Sequence, residues 1–76
     1  MVSAYVLIKV KPGSDAKIKE EMEKWEEVKK VDIIYGEWDL IAQVEVDRFE
    51  KITEIVIKRL RRMPEVRATM TMLVAG

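Results

Sequence analysis

The sequence contains no cysteine, no histidine and no asparagine, and its single glutamine is Gln43. Without cysteine, the chain can form neither a disulfide framework nor a thiolate metal site. Without histidine, it lacks the commonest general base and the commonest ligand of transition metals. These absences argue against an enzyme. We expect no catalytic residue, no metal site and no cofactor.

Long apolar runs and net charge are also missing. The longest purely apolar run, residues 4–8, is far too short to cross a bilayer, and no signal peptide can be identified. Fourteen basic and fourteen acidic residues cancel, so no overall field attracts nucleic acid or an anionic membrane. We therefore expect a cytoplasmic protein that binds neither directly. Abundant Glu, Lys and Arg with few thermolabile residues are typical of a thermophile.

The length of 76 residues fits one domain, residues 1–76. A domain of this size buries only about 60% of the surface that its unfolded chain exposes, so its stability as a monomer is marginal. Self-association is therefore expected from size alone.

Hydrophobic periodicity divides the chain into six elements. Alternating apolar residues predict strands at 2–10, 29–35, 38–46 and 66–74. Between them, apolar stripes at helical spacing predict two helices, one with Ile18, Met22, Trp25 and Val28, the other with Phe49, Ile52, Val56, Leu60 and Met63. The order βαββαβ predicts a ferredoxin-like α+β fold. Right-handed crossovers give an antiparallel sheet of order 4-1-3-2 with both helices on one face.

Strict alternation also predicts the two faces of the sheet. One set of residues is expected beneath the helices: Val6, Ile8, Leu40, Val44, Met70 and Met72. The opposite face then carries Tyr5, Leu7, Ile41, Gln43, Thr69, Thr71 and Leu73. An uncovered sheet that is this apolar indicates an interface, and two such sheets can pack face to face. We predict a homodimer through Tyr5, Leu7, Ile41, Gln43 and Leu73, with a monomer as the alternative.

The stretch IIYGEWDL, residues 33–40, joins the two middle strands. Gly36 and Glu37 fit a two-residue hairpin turn. Turn amides can receive a carboxylate, Asp39 or Glu37 can receive an ammonium group, and Tyr35 and Trp38 can form an apolar wall. These groups suit the zwitterionic head of a free amino acid. The residue types equally allow a plain turn that is steadied by an aromatic pair.

Three segments carry a family resemblance: AYVLIKVKPG at 4–13, VDIIYGEWDLIAQVEV at 31–46 and MPEVRATMTMLV at 63–74. The whole chain resembles the RAM domain, the effector-binding module of the Lrp/AsnC family of feast/famine regulators. The family signature of glycine, any residue, an aromatic and aspartate is matched by residues 36–39. A Pro-x-Val-x-x-Thr pattern is matched at 64–69, although Glu65 replaces the commoner glycine.

The resemblance implies a stand-alone RAM domain without the helix-turn-helix domain that precedes it in full-length members. It also implies dimers that pair through their sheets, octamer-like rings of dimers, and amino acids bound where dimers meet. Partners would be a free amino acid, further copies of the chain and full-length Lrp/AsnC regulators. By similarity, the ligand-binding residues are Tyr35, Gly36, Glu37, Trp38, Asp39, Leu40, Thr69 and Thr71. Asp39 is expected to hold the α-ammonium group.

Proteins of other functions share this fold, and the sequence argues against two of them. An acylphosphatase would need an asparagine, which this chain lacks, and an RNA-recognition motif would need aromatic residues along its third strand, where the stretch DLIAQVEV, residues 39–46, has none. An ACT-like small-molecule-binding module shares the strand order but usually pairs sheets side by side. A purely structural, self-associating domain without an effector is the remaining alternative.

Overall fold

The computed structural model describes all of residues 1–76. Its elements are β1 (Val2–Val10), α1 (Asp15–Glu23), β2 (Val28–Ile33), β3 (Leu40–Val46), α2 (Phe49–Glu54), a π-helical continuation of α2 (Ile55–Leu60) and β4 (Val66–Leu73). The four strands form one antiparallel sheet in the order β2-β3-β1-β4, the same order as 4-1-3-2. The predicted ferredoxin-like fold is confirmed.

The core is a single apolar cluster between the helices and one face of the sheet. It contains 16 buried residues, all hydrophobic, and no buried polar side chain. Ile18 and Met22 come from α1, and their burial confirms that half of the predicted stripe. Val28 was placed in the helix by its spacing, but it begins β2 opposite Val44. Phe49 was predicted to be buried and is instead 52% exposed.

The second helix changes its hydrogen-bonding pattern half-way. Beyond Glu54 it is π-helical, and the Arg61 amide donates to the carbonyl oxygen of Val56, five residues earlier, at 2.9 Å. Ile52, Ile55, Val56 and Leu60 are buried at the spacing of an ordinary amphipathic helix, so the hydrophobic pattern gives no sign of the π-helical turns.

Arg59 connects this helix to the turn between α1 and β2. Its guanidinium lies 5.7 Å from the centre of the Trp25 ring and donates to the Glu27 carboxylate at 3.1 Å. Main-chain hydrogen bonding first, and then Arg59, hold the pKa of Glu27 below its ordinary value. The second helix is therefore joined to the turn between α1 and β2 by a cation–π contact and an ion pair at the surface.

The side chains of β4 lie on the opposite faces of the sheet from those predicted. Lys9 pairs with Ala68 but Val10 pairs with Val66, so β4 has one extra residue, Arg67, in a bulge. Beyond the bulge, residues that pair between β1 and β4 lie on the same face of the sheet. Thr71 and Thr69 lie opposite the buried Val6 and Ile8, on the helix side of the sheet.

The predicted face assignment of β4 is therefore wrong. Leu73 lies opposite the buried Ala4, on the helix side, whereas Met70 and Met72 pair with Leu7 and Tyr5 on the uncovered side. Strict alternation from residue 66 to residue 74 contains no mark of the bulge. A shift of one residue transfers every later side chain to the opposite face.

Replacing Arg59 with Met should lower the free energy of unfolding by about 1 kcal/mol near neutral pH, since the cation–π contact and the ion pair are both lost. The depressed pKa of Glu27 stabilises the folded state above the ordinary carboxyl range, and this contribution disappears as the pH falls through that range. The difference between wild type and variant should therefore shrink in acid. Urea unfolding at both pH values measures it.

Lys58 provides the matched control, because it is an exposed cation on the same helix without an ion pair. Lys58→Met should change stability little at either pH. Equal losses in the two variants would contradict the assigned role of Arg59.

Candidate functional site

The connection between β2 and β3 is a six-residue loop, residues 34–39, and not the predicted two-residue turn at Gly36 and Glu37. The Ile34 amide donates to the carbonyl oxygen of Asp39 at 2.9 Å and closes the loop. Gly36 has a φ of 119°, a conformation that side chains rarely adopt. Glycine is therefore required at this position by its backbone conformation, although no atom lies near enough to obstruct a Cβ.

Asp39 fixes the loop to the end of β1. Its amide donates to the carbonyl oxygen of Ile8 at 2.9 Å, and its side-chain Oδ2 accepts from the Val10 amide at 2.8 Å. The Asp39 carboxylate thus replaces a main-chain carbonyl where β3 has not yet begun. Oδ1 has no protein partner and can still accept from a cation.

The other predicted residues of the loop differ in accessibility. Tyr35 is fully exposed, Glu37 is exposed without an ion pair, and Trp38 is partly buried. The side chain of Leu40 is completely buried in the core. Leu40 can therefore contribute only its main chain to a ligand.

The two threonines are not brought to this loop within one chain. Thr69 pairs with Ile8 in β1, and Ile8 pairs with Leu40 in β3, so two inter-strand steps separate Thr69 from the start of β3. At roughly 4.8 Å per step the gap is about 10 Å. No surface cavity of the monomer is lined by residues 34–40, Thr69 or Thr71. One chain alone does not enclose the predicted site.

The uncovered face of the sheet holds two rows of paired side chains. Asp32, Ile41, Leu7 and Met70 form one row; Lys30, Gln43, Tyr5 and Met72 form the other. The prediction that Tyr5, Leu7, Ile41 and Gln43 lie on this face is confirmed. The two methionines, 47% and 41% exposed, were predicted on the helix side because alternation without the bulge places them there. A depression of about 190 Å³ lies on the same face beside Tyr5 and Ile41.

The family model of the Lrp/AsnC ligand-binding domain matches residues 3–75. The chain belongs to this family. Uncharacterized HTH-type transcriptional regulators of Pyrococcus furiosus and Pyrococcus abyssi are 35% and 36% identical over 74 residues. The match covers 93% of this chain but 49% of each regulator. The chain thus spans about half the length of these relatives, and their source fits the predicted thermophilic character.

Solved structures agree with the family assignment. The crystal structure of FFRP-DM1 superposes with a TM-score of 0.93 at 34% identity, over 97% of this chain and 99% of that one. A transcriptional regulator from Neisseria meningitidis, solved in complex with L-Met, has a TM-score of 0.84 at 19% identity. It matches 99% of this chain and 50% of its own. At that identity the likeness concerns the fold alone.

No group of three or more acidic side chains is placed to hold a metal ion. No helix has both the length and the apolar composition needed to span a bilayer.

The hydrogen bond between Asp39 and Val10 should be measurable in stability. Asp39→Ala should lower the free energy of unfolding by about 1–3 kcal/mol, because it leaves the Val10 amide without its acceptor. Asp39→Asn should lose less, since an amide oxygen can accept the same bond. Chemical denaturation of both variants tests this order, and equal losses would show that the bond contributes little.

Proposed function

We propose that this chain is an amino-acid-sensing and oligomerisation module, which binds a small free amino acid between copies of itself and modulates transcription regulation through its state of assembly. The observation that carries the proposal is the match of residues 3–75 to a ligand-binding domain of a regulator family. The complex of a distant structural relative with L-Met supports the ligand class. In this proposal residues 1–76 act as one domain in the cytoplasm.

The loop supplies the groups that such a ligand requires. Oδ1 of Asp39 is the acceptor for the α-ammonium group, while Oδ2 stays on the Val10 amide. The loop amides and a threonine hydroxyl from another copy receive the α-carboxylate, as charge-assisted hydrogen bonds. Trp38 provides a partly buried wall for the side chain. A site divided between copies accounts for the gap of about 10 Å within one chain.

The uncovered face provides the first level of assembly. The uncovered face carries a continuous apolar patch, which consists of Tyr5, Leu7, Ile41, Met70 and Met72. Two such patches can stack as a sandwich about 10 Å thick. Lys30, Asp32 and Gln43 then lie at the polar rim of the dimer.

We further propose that the domain is not an enzyme and does not bind nucleic acid itself. The family match is to a regulatory domain, and the formal net charge is zero. Its partners would be further copies or the ligand-binding domains of related regulators. An ACT-like module with side-by-side sheets would leave the methionine-rich face in solvent, so solvent protection of Met70 and Met72 distinguishes that alternative.

Binding can be tested by fluorescence, because the chain has two tryptophans and Trp38 lies in the site. In a Trp25→Phe background, titration with each of the twenty amino acids should change the emission of Trp38 for one or a few of them. Asp39→Asn in that background keeps a hydrogen-bond acceptor for Val10 but removes the charge, so it should weaken binding at least tenfold, or about 1.4 kcal/mol. No response to any amino acid would contradict the proposal.

Dimerisation through the uncovered face has its own test. Met70→Glu places a charge within the apolar patch, where burial without a partner is strongly unfavourable. We expect dissociation to monomers by sedimentation velocity. Met70→Leu, which preserves the apolar surface, should remain associated. Unchanged mass in the glutamate variant would exclude this face as the interface.

A further inference from the structure

A second exposed surface lies on the helix side of β4. Thr71 and Leu73 are on the face that the helices cover, yet both are exposed, Leu73 to 51%. The second helix therefore does not cover the carboxyl-terminal half of β4. We call this surface the β4 ledge, defined by Phe49, Ile57, Arg61, Thr69, Thr71 and Leu73.

The helical side of the ledge is a straight stripe. Phe49, Thr53, Ile57 and Arg61 recur every four residues and are all exposed. A step of four residues overshoots an α-helical turn of about 3.6 residues. It falls short of the wider turn of a π-helix, whose hydrogen bonds span five residues. The rotation of the stripe around the helix axis in the α-helical part is therefore reversed in the π-helical part. Ile57 and Arg61 thus stay in line with Phe49.

The stripe faces away from α1. Arg59 follows Ile57 by two residues and so lies on roughly the opposite flank of the helix. It is the residue that reaches Trp25 and Glu27, in the turn that follows α1. The flank with Ile57 therefore looks toward β4. Phe49, Ile57 and Leu73 are each about half exposed there, and Arg61 has no ion pair.

The tip of the loop at residues 34–39 has the complementary character. Tyr35 is the most exposed large side chain of the molecule, and Glu37 is an exposed carboxylate without a cation. Neither side chain forms a hydrogen bond or an ion pair within its own chain. The aromatic ring of Tyr35 and the negative charge of Glu37 are therefore complementary to the β4 ledge, which is apolar and carries the positive charge of Arg61.

We propose that the loop tip of one copy docks on the β4 ledge of another, with Tyr35 against Ile57 and Leu73, and Glu37 paired with Arg61. The contact rests on the proposed function, because it brings Thr69 and Thr71 of one copy to the amino-acid site of the next. The two surfaces differ, so each chain offers one tip and one ledge. Such a contact links copies through surfaces separate from the uncovered sheet face.

Charge reversal tests the pairing directly. Glu37→Arg and Arg61→Glu each oppose like charges and should raise the protein concentration needed for assembly beyond the dimer at least about tenfold. The double variant restores opposite charges and should assemble like wild type. Sedimentation velocity is measured without ligand and with each of the twenty amino acids. Lys58→Glu, the same change on an exposed position next to the stripe, is the matched control and should assemble normally.

A mixing experiment tests the two-surface geometry independently. Tyr35→Ala damages the tip, and Ile57→Asp damages the ledge at a position already half exposed, so both variants should fold. Each alone should stop at the dimer. Their mixture retains intact tips beside intact ledges and should form larger species. A mixture as small as its components would contradict the proposal.

The outcomes separate this contact from the amino-acid site. If Trp38 responds to an amino acid but the double reversal fails to restore assembly, the ledge is wrong and the proposed function stands. If assembly is restored while no amino acid changes Trp38 emission, the contact stands and the sensing function is wrong. A wild-type protein that never exceeds a dimer under any condition overturns the ledge.

Discussion

The hydrogen bond from the Val10 amide to the Asp39 carboxylate holds the end of β1 and the loop at residues 34–39 in one place. The same aspartate donates its amide to Ile8 and accepts from Ile34, so three segments of the chain meet at one residue. The candidate site is thereby built on the end of the sheet and not on a free loop. Because only one carboxylate oxygen is used, the residue can support the fold and still present a charge to a ligand.

The bulge in β4 begins at the same end of β1. The register changes between Lys9 and Val10, and this single irregularity decides which side chains of β4 meet solvent on which face. It places two methionines in the uncovered apolar face and moves the threonines and Leu73 to the opposite side. The chain thus gains two separate exposed surfaces, one suited to sheet stacking and one at the edge of the helical layer.

Periodicity predicted the strand order, the layers and most of the core, because alternation and helical spacing report burial directly. The candidate ligand-binding residues of the loop are predicted from glycine, aromatic and carboxylate chemistry together with the family resemblance. Three features were not predictable. The bulge leaves no mark in an alternating strand, the buried residues of the π segment keep ordinary α-helical spacing, and the use of Asp39 as a main-chain substitute depends on where β3 begins. The expectation that the site is shared between copies came from the family resemblance, because no pattern within one sequence reports contacts between chains.

If an amino acid bridges copies, ligand binding and assembly must strengthen each other to the same extent. This coupling is the central claim, and sedimentation velocity of the wild-type protein with and without each of the twenty amino acids tests it most directly. The account predicts that one or a few amino acids convert dimers into larger species. An identical distribution of sizes under all conditions would contradict it.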